Sequence, residues 1–220
     1  MLSFIAWYLT ITLVGLLTFP LAFRLFPALA DRGYSFSRAL GLLLWGFVFW
    51  LATSFGLTRN EWGGVLFALL VIVGFSAWSL AGRKVTGDEA EQPVNGLSSI
   101  VDWVKSNRAA VLTVEILFLL AFAFLAFVRA NNPENTGTEK PMEMAFINAI
   151  LRSPTFPPHD PWLSGYAISY YYFGYVLAAM LAKFTATSGG VNVRSTFSFP
   201  RKSISRINST TISAYTAQIS

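Results

Sequence analysis

Five apolar runs constrain this chain more than any other feature: Leu2–Phe23, Phe36–Leu57, Trp62–Ala81, Ala109–Val128 and Ile168 to about Thr187. A bilayer core of about 30 Å takes about 20 helical residues to cross. Inside it every backbone polar group must be satisfied within the segment, which makes helices the solution for runs of this kind. The expected fold is therefore all-α, a polytopic helical membrane protein of about five transmembrane helices with amphipathic surface helices. Thr58–Glu61 is short enough to force the second and third spans into an antiparallel hairpin. The charged fraction of 12% agrees, since soluble domains carry about 25%; mean hydropathy is +0.53.

Composition also excludes. With no Cys, the chain has no disulfide, thiolate metal site or Cys nucleophile, and its single His rules out a His-rich metal site. No cofactor and no metal is expected. The net charge of +5 comes from Lys and Arg that flank apolar segments, a pattern that signals topology rather than a nucleic-acid surface. No Lys or Arg precedes Arg24, so the basic leader of a signal peptide is missing. Ala28-Leu29-Ala30 has the form of a cleavage site, but the run before it is too long for that reading.

Loop charges give the orientation. Arg24, Arg32 and Arg38 follow span one; Arg83, Lys84, Lys105 and Arg108 follow span three; Arg194, Arg201, Lys202 and Arg206 follow span five. The alternate side carries only Arg59 and the dispersed Arg129, Lys140 and Arg152. Positive charge stays inside, which predicts a multi-pass cell-membrane protein with its N-terminus and the 129–167 loop outside. In that arrangement Glu115 of span four and Lys183 of span five lie at similar depth and are expected to pair. The chain divides into three N-terminal spans (1–82), a cytoplasmic loop (83–108), a fourth and fifth span with their outer loop (109–190) and a tail (191–220). In the cytoplasmic loop Leu97, Ile100, Val101 and Val104 recur at helical spacing and predict an amphipathic helix on the membrane surface, or one that binds a partner. From Val191 the chain is Ser/Thr-rich without a further span; disorder or an altered reading frame is the expectation there.

Candidate chemistry gathers between Asn131 and Tyr175. Glu139 and Lys140 precede Pro141 at a helix start, and Met142, Ala145, Phe146, Ala149 and Ile150 give that helix an apolar face for the membrane surface. Lys140 could hold a phosphate as a point charge or simply be solvated. Glu139 as a mere helix-start anion would contribute about 0.3–1 kcal/mol. Next, Pro154 to Trp162 holds four prolines that stiffen the strap presenting His159 and Asp160 beneath Trp162. His159 and Asp160 are an acid/base or phosphate-contacting pair, or Asp160 only caps a turn. Their opposite directions in extended backbone argue against a shared metal. Tyr170, Tyr171 and Tyr172 fit the aromatic belt of an interface, yet three in succession must turn at least one ring to the protein, where a sugar could stack. Gly174, Ala178 and Ala182 form a small-residue stripe suited to close helix packing.

The stretch GTEKPMEMAFINAILRSPTFPPHDPWLSGYAISYYYFGY resembles the signature of the YYY-motif family, large polytopic membrane proteins of bacteria and archaea; the resemblance covers roughly Arg129 to Gly190. That family is similar in layout to membrane glycosyltransferases that use lipid-phosphate sugars. In those enzymes an acidic residue follows a transmembrane helix, then come a surface helix and a Pro-rich turn. The resemblance implies Glu139 as catalytic carboxylate, with Asp160 second, and Lys140, His159, Trp162, Tyr170, Tyr171 and Tyr172 as substrate-binding residues. It also implies membrane lipid and a polyprenyl-phosphate sugar donor as partners. Those enzymes usually carry an Asp or an acidic pair, whereas the neighbour here is Lys140. The rival readings are a non-catalytic scaffold or fragment and a transporter subunit. The near absence of charge within the spans, Glu115 apart, argues against the transporter.

Overall fold

The structure, a computed structural model, describes residues 2–81, 96–131, 139–163 and 165–187. The expectations for Arg83 and Lys84 and for the tail from Val191 lie outside these residues. The regular elements of the described chain are all helices: α1 Leu2–Leu25, α2 Ser37–Ser54, α3 Trp62–Leu80, α4 Gly96–Ser106, α5 Arg108–Asn131, α6 Lys140–Arg152 and α7 Phe173–Phe184. Four of them, α1, α2, α3 and α5, are long and apolar enough to cross a membrane, and they coincide with the first four apolar runs.

Helices α1, α2 and α3 form the central bundle. Two glycines set how closely α1 and α2 approach. A Cβ on Gly41 would lie 3.0 Å from the Val14 carbonyl oxygen, and one on Gly15 would lie 2.5 Å from Arg38 Cγ. Close backbone approach of this kind is how helices gain packing where lipid offers no hydrophobic drive between them. Between α2 and α3, the fully buried Trp45 donates its indole N–H to the Val65 carbonyl at 2.9 Å. The opposite faces expose Leu9, Leu13 and Leu16 on α1 and Leu66 and Leu70 on α3, as lipid-facing surfaces should. Helix α5 buries no residue. It leans on α1 through Phe4–Phe122 and Tyr8–Phe118, with ring centroids 5.0 and 5.5 Å apart.

The bundle has two polar ends. At the first, α4 lays Ile100 into a cluster with Phe19, Ala22 and Tyr34, with Trp103 and Val104 against it. The expected amphipathic helix is present, but its apolar residues divide: Ile100 and Val104 pack on protein, while Leu97 and Val101 stay exposed. Glu115 belongs to this end. It forms an ion pair with Arg38 at 2.5 Å and accepts a hydrogen bond from the Tyr34 hydroxyl. The Arg38 guanidinium also lies 4.4 Å from the Phe118 ring centre. The expected Glu115–Lys183 pair is therefore wrong, because Lys183 lies at the other end of the bundle. There its ammonium donates to the Asn60 carbonyl and Asn60 Oδ1 at 2.5 and 2.7 Å.

The depth assigned to Lys183 failed because the fifth apolar run does not make a spanning helix. Helix α7 has 12 residues, about 18 Å at 1.5 Å per residue, against the roughly 30 Å of a bilayer core. It starts only after Tyr170 and Tyr171, whose rings stack at 4.0 Å, a contact that neighbours within a helix do not make. It stops because Ala186 turns left-handed (φ 52°), with Ala186 N–H bonded to Lys183 O and Thr187 N–H to Ala182 O. Gly56 (φ 73°) ends α2 by the same pair of bonds, to Thr53 O and Ala52 O. Both ends of α7 meet the same end of the bundle. Phe173 packs on Trp50 at 5.9 Å, Phe184 on Trp62 at 5.6 Å, and the Trp7 indole donates to Thr187 Oγ1 at 3.1 Å. Of the small-residue stripe, Ala182 is buried and Ala178 half-buried, so its Gly174 end alone stays out of the packing. Gly174 faces open space, whereas Gly46 of α2 receives the Leu177 side chain.

Candidate functional site

The second polar end is organised on Asn60, in the α2–α3 turn. Its side-chain amide donates to the Ile150 and Ser153 carbonyls at 2.5 and 2.7 Å, and its backbone N–H to Pro154 O at 2.8 Å. With Lys183 on its oxygens, one buried side chain ties the turn, the end of α6 and the end of α7 together. Buried polar atoms must be paired, so this network fixes α6 on the bundle.

The Pro-rich strap then folds as a narrow loop rather than a straight extended segment. Asp160 N–H bonds to Tyr166 O at 2.9 Å, Ile168 N–H to Pro158 O at 3.0 Å, and His159 pairs with Ala167 in an isolated antiparallel bridge. The Phe156–Pro157 peptide is cis. Asp160 Oδ1 accepts the Trp162 and Leu163 amides at 2.8 and 2.9 Å, the turn-capping role anticipated as the plainer reading. His159 is exposed, its N–H held by Ser153 Oγ at 3.1 Å.

Three tyrosines, two roles: Tyr172 faces the protein, accepting the Trp50 indole N–H at 3.0 Å with its ring 6.4 Å from Phe156. Tyr170 and Tyr171 are exposed, and the Tyr170 hydroxyl donates to that of Tyr171 at 2.8 Å. That bond, with slight desolvation and then the neighbouring Tyr171, Tyr175 and Glu139, pushes the Tyr170 phenol up to about 12. The buried ring of Phe146 anchors the group, with Trp162, Tyr170 and Tyr175 at 5.5, 5.6 and 5.5 Å.

Glu139 occupies the N-cap position of α6, exposed and with no side-chain bond to the helix amides. Glu143 follows one turn later and Phe146 three residues on, so all three lie along one face of α6. Glu139 and Glu143 both act on the Tyr175 phenol as negative neighbours, and Glu139 also on Tyr170. The structure thus brings Glu139, Trp162, Tyr170 and Tyr171 into one aromatic and acidic surface. Tyr172 and Asp160 are set apart by structural bonds, and Lys140 begins α6 beside Glu139. Glu143, Phe146 and Tyr175 were missed as site residues; Glu143 was legible as the carboxylate one helical turn from Glu139. Among the described residues no three His, Asp or Glu side chains gather as a metal site.

A bundle of bilayer-length apolar helices, lipid-facing outside and polar only at its ends, defines an integral membrane protein of the polytopic helical class. The chain belongs to a family described as uncharacterized membrane protein (DUF2298), whose profile matches residues 44–192. No curated protein and no solved structure matches the chain.

Proposed function

We propose that the chain forms part of a membrane-embedded, glycosyltransferase-like enzyme that takes sugar from a polyprenyl-phosphate donor at the extracytoplasmic face. The observation that carries this reading is the exposed aromatic surface of Trp162, Tyr170 and Tyr171, with the half-buried Tyr175 behind it, beside the carboxylates of Glu139 and Glu143 at one end of the bundle. Flat rings receive the apolar face of a sugar and carboxylates accept its hydroxyls. In transfer, Glu139 takes the proton of an acceptor hydroxyl as its oxygen bonds to the sugar C1. The C1–O bond to the lipid phosphate breaks, and the phosphate leaves with the electron pair. Lys140 lies next in the chain to balance that phosphate charge. Asp160 ranks second as catalytic carboxylate because its Oδ1 already serves the loop, and His159 on the same loop completes the substrate-binding set. Positive-inside counting supports placing this end outside the cell.

The test uses the chain reconstituted in liposomes with a polyprenyl-phosphate sugar and a hydroxyl-bearing acceptor, following release of polyprenyl phosphate by mass spectrometry. Glu139→Gln keeps size and polarity, and loss of a general base predicts a fall of about 10²–10⁴-fold. Trp162→Ala should instead weaken donor binding. Release by Glu139→Gln at the unsubstituted rate would refute the assignment.

A further inference from the structure

A second surface, on the lipid-facing side of α3 at the opposite end, has the form of a lipid site. Val71, Gly74, Phe75 and Trp78 line a groove of about 420 Å³. They fall at i, i+3, i+4 and i+7, one face of the helix, while Ile72 and Ser76 on the other face are buried in the bundle. Gly74 supplies the notch: a Cβ there would meet nothing within 4 Å. The groove runs about 10 Å along the helix axis, from the end of the span toward mid-bilayer, the direction of an acyl chain. A cation stands at its mouth. The exposed Arg24, last turn of α1, holds its guanidinium 4.9 Å from the Trp78 ring centre, with Nη1 3.4 Å from the Ser79 carbonyl oxygen.

We infer that this groove binds one anionic phospholipid, its acyl chain in the Gly74 notch and its phosphate on Arg24. Charge complementarity selects this occupant over a zwitterionic lipid or an apolar helix. The same end of the bundle carries Arg32 and the exposed Lys105 and Arg108, against Asp31 and Asp102, while Arg38 is neutralised by Glu115; positive-inside counting turns it toward the anionic cytoplasmic leaflet. Trp78 fits the interfacial position of that residue type. The site does not depend on the transfer reaction at the other end.

Native mass spectrometry of the purified chain, delipidated and titrated with phosphatidylglycerol or phosphatidylcholine of matched chains, tests it. One phosphatidylglycerol should be retained in preference to phosphatidylcholine. Arg24→Gln should cut that preference about fivefold, the effect of one basic residue near an anionic surface, and Arg24→Lys should keep most of it. Gly74→Leu points into open space and so should fold, yet it should lose the tightly held lipid of either headgroup. Equal retention of both lipids, or full preference in Arg24→Gln, would overturn the inference. So would a Gly74→Leu variant whose lipid count is unchanged while its oligomeric mass falls, which would give the groove to a second copy.

Discussion

Removing one partner of the Arg38–Glu115 pair should be among the most damaging single changes in the bundle. The Arg38 side chain is 7% exposed and Glu115 27%, so Glu115→Gln strands a buried guanidinium. Its Nε already has no hydrogen-bond partner. Breaking a buried pair costs about 3–5 kcal/mol; the partial exposure of Glu115 puts this case near the lower figure, about a hundredfold in the folded ratio. Arg38→Met leaves the aliphatic stem that packs on Gly15 and removes the charge. Combined with Glu115→Gln it should recover much of the loss, with a coupling energy of about 1.5–3 kcal/mol. Unfolding in mixed micelles, followed by the fluorescence of the seven tryptophans, gives the four corners of the cycle. Glu115→Gln with Lys183→Met should be additive within about 0.5 kcal/mol. Additivity for Arg38 with coupling for Lys183 would refute this account of both polar ends.

The other end makes its own predictions. Asn60→Leu removes the Oδ1 partner of Lys183, which keeps its bond to the backbone carbonyl of residue 60, and strips the Ile150 and Ser153 carbonyls of their donor; it should cost about 1–3 kcal/mol in the same unfolding assay. Gly46→Ala drives a methyl into Leu177 and should lower stability by about 1–3 kcal/mol, while Gly174→Ala, facing open space, should be neutral or better. Tyr172→Phe should cost about 0.5–1.5 kcal/mol through the lost Trp50 bond, a change that Tyr171→Phe lacks. The Tyr170 phenol is raised, so its contribution is whole below the ordinary tyrosine value near 10 and is lost as pH rises through about 12. Ultraviolet titration should show a late-ionising tyrosinate that disappears in Tyr170→Phe.

Four spans were legible because an uncharged apolar run of bilayer length admits few other structures. The fifth run was equally apolar, but composition cannot distinguish a helix that crosses the bilayer from a short one packed against part of a bundle, as α7 packs on Trp45 and Gly46 of α2. What decides is backbone detail: the Tyr170–Tyr171 stack before α7 and the left-handed Ala186 after it. The false Lys183 pairing followed from that one misplacement. Arg38 read only as a topology charge because nothing local marks a cation whose partner is 77 positions away. At the candidate site, Glu139 and the exposed tyrosines were visible as residue types, and the juxtaposition with Phe146 and Tyr175 needed the α6–α7 packing. That Tyr172 turns inward and Asp160 caps its loop are facts of hydrogen bonding that the sequence offered only as alternatives.

The most direct test of the central claim, that α6, the Pro-rich loop and all of α7 lie at one end of the bundle, is cysteine accessibility in this Cys-free chain. Single cysteines replace Ser106, Ser169 and Ala186, all exposed, and an impermeant thiol reagent is applied to sealed, oriented vesicles. Ser169→Cys and Ala186→Cys should label from the same side, opposite to Ser106→Cys. Labelling of Ala186→Cys with Ser106→Cys instead would mean that α7 crosses the membrane, and would contradict the architecture on which the candidate site rests.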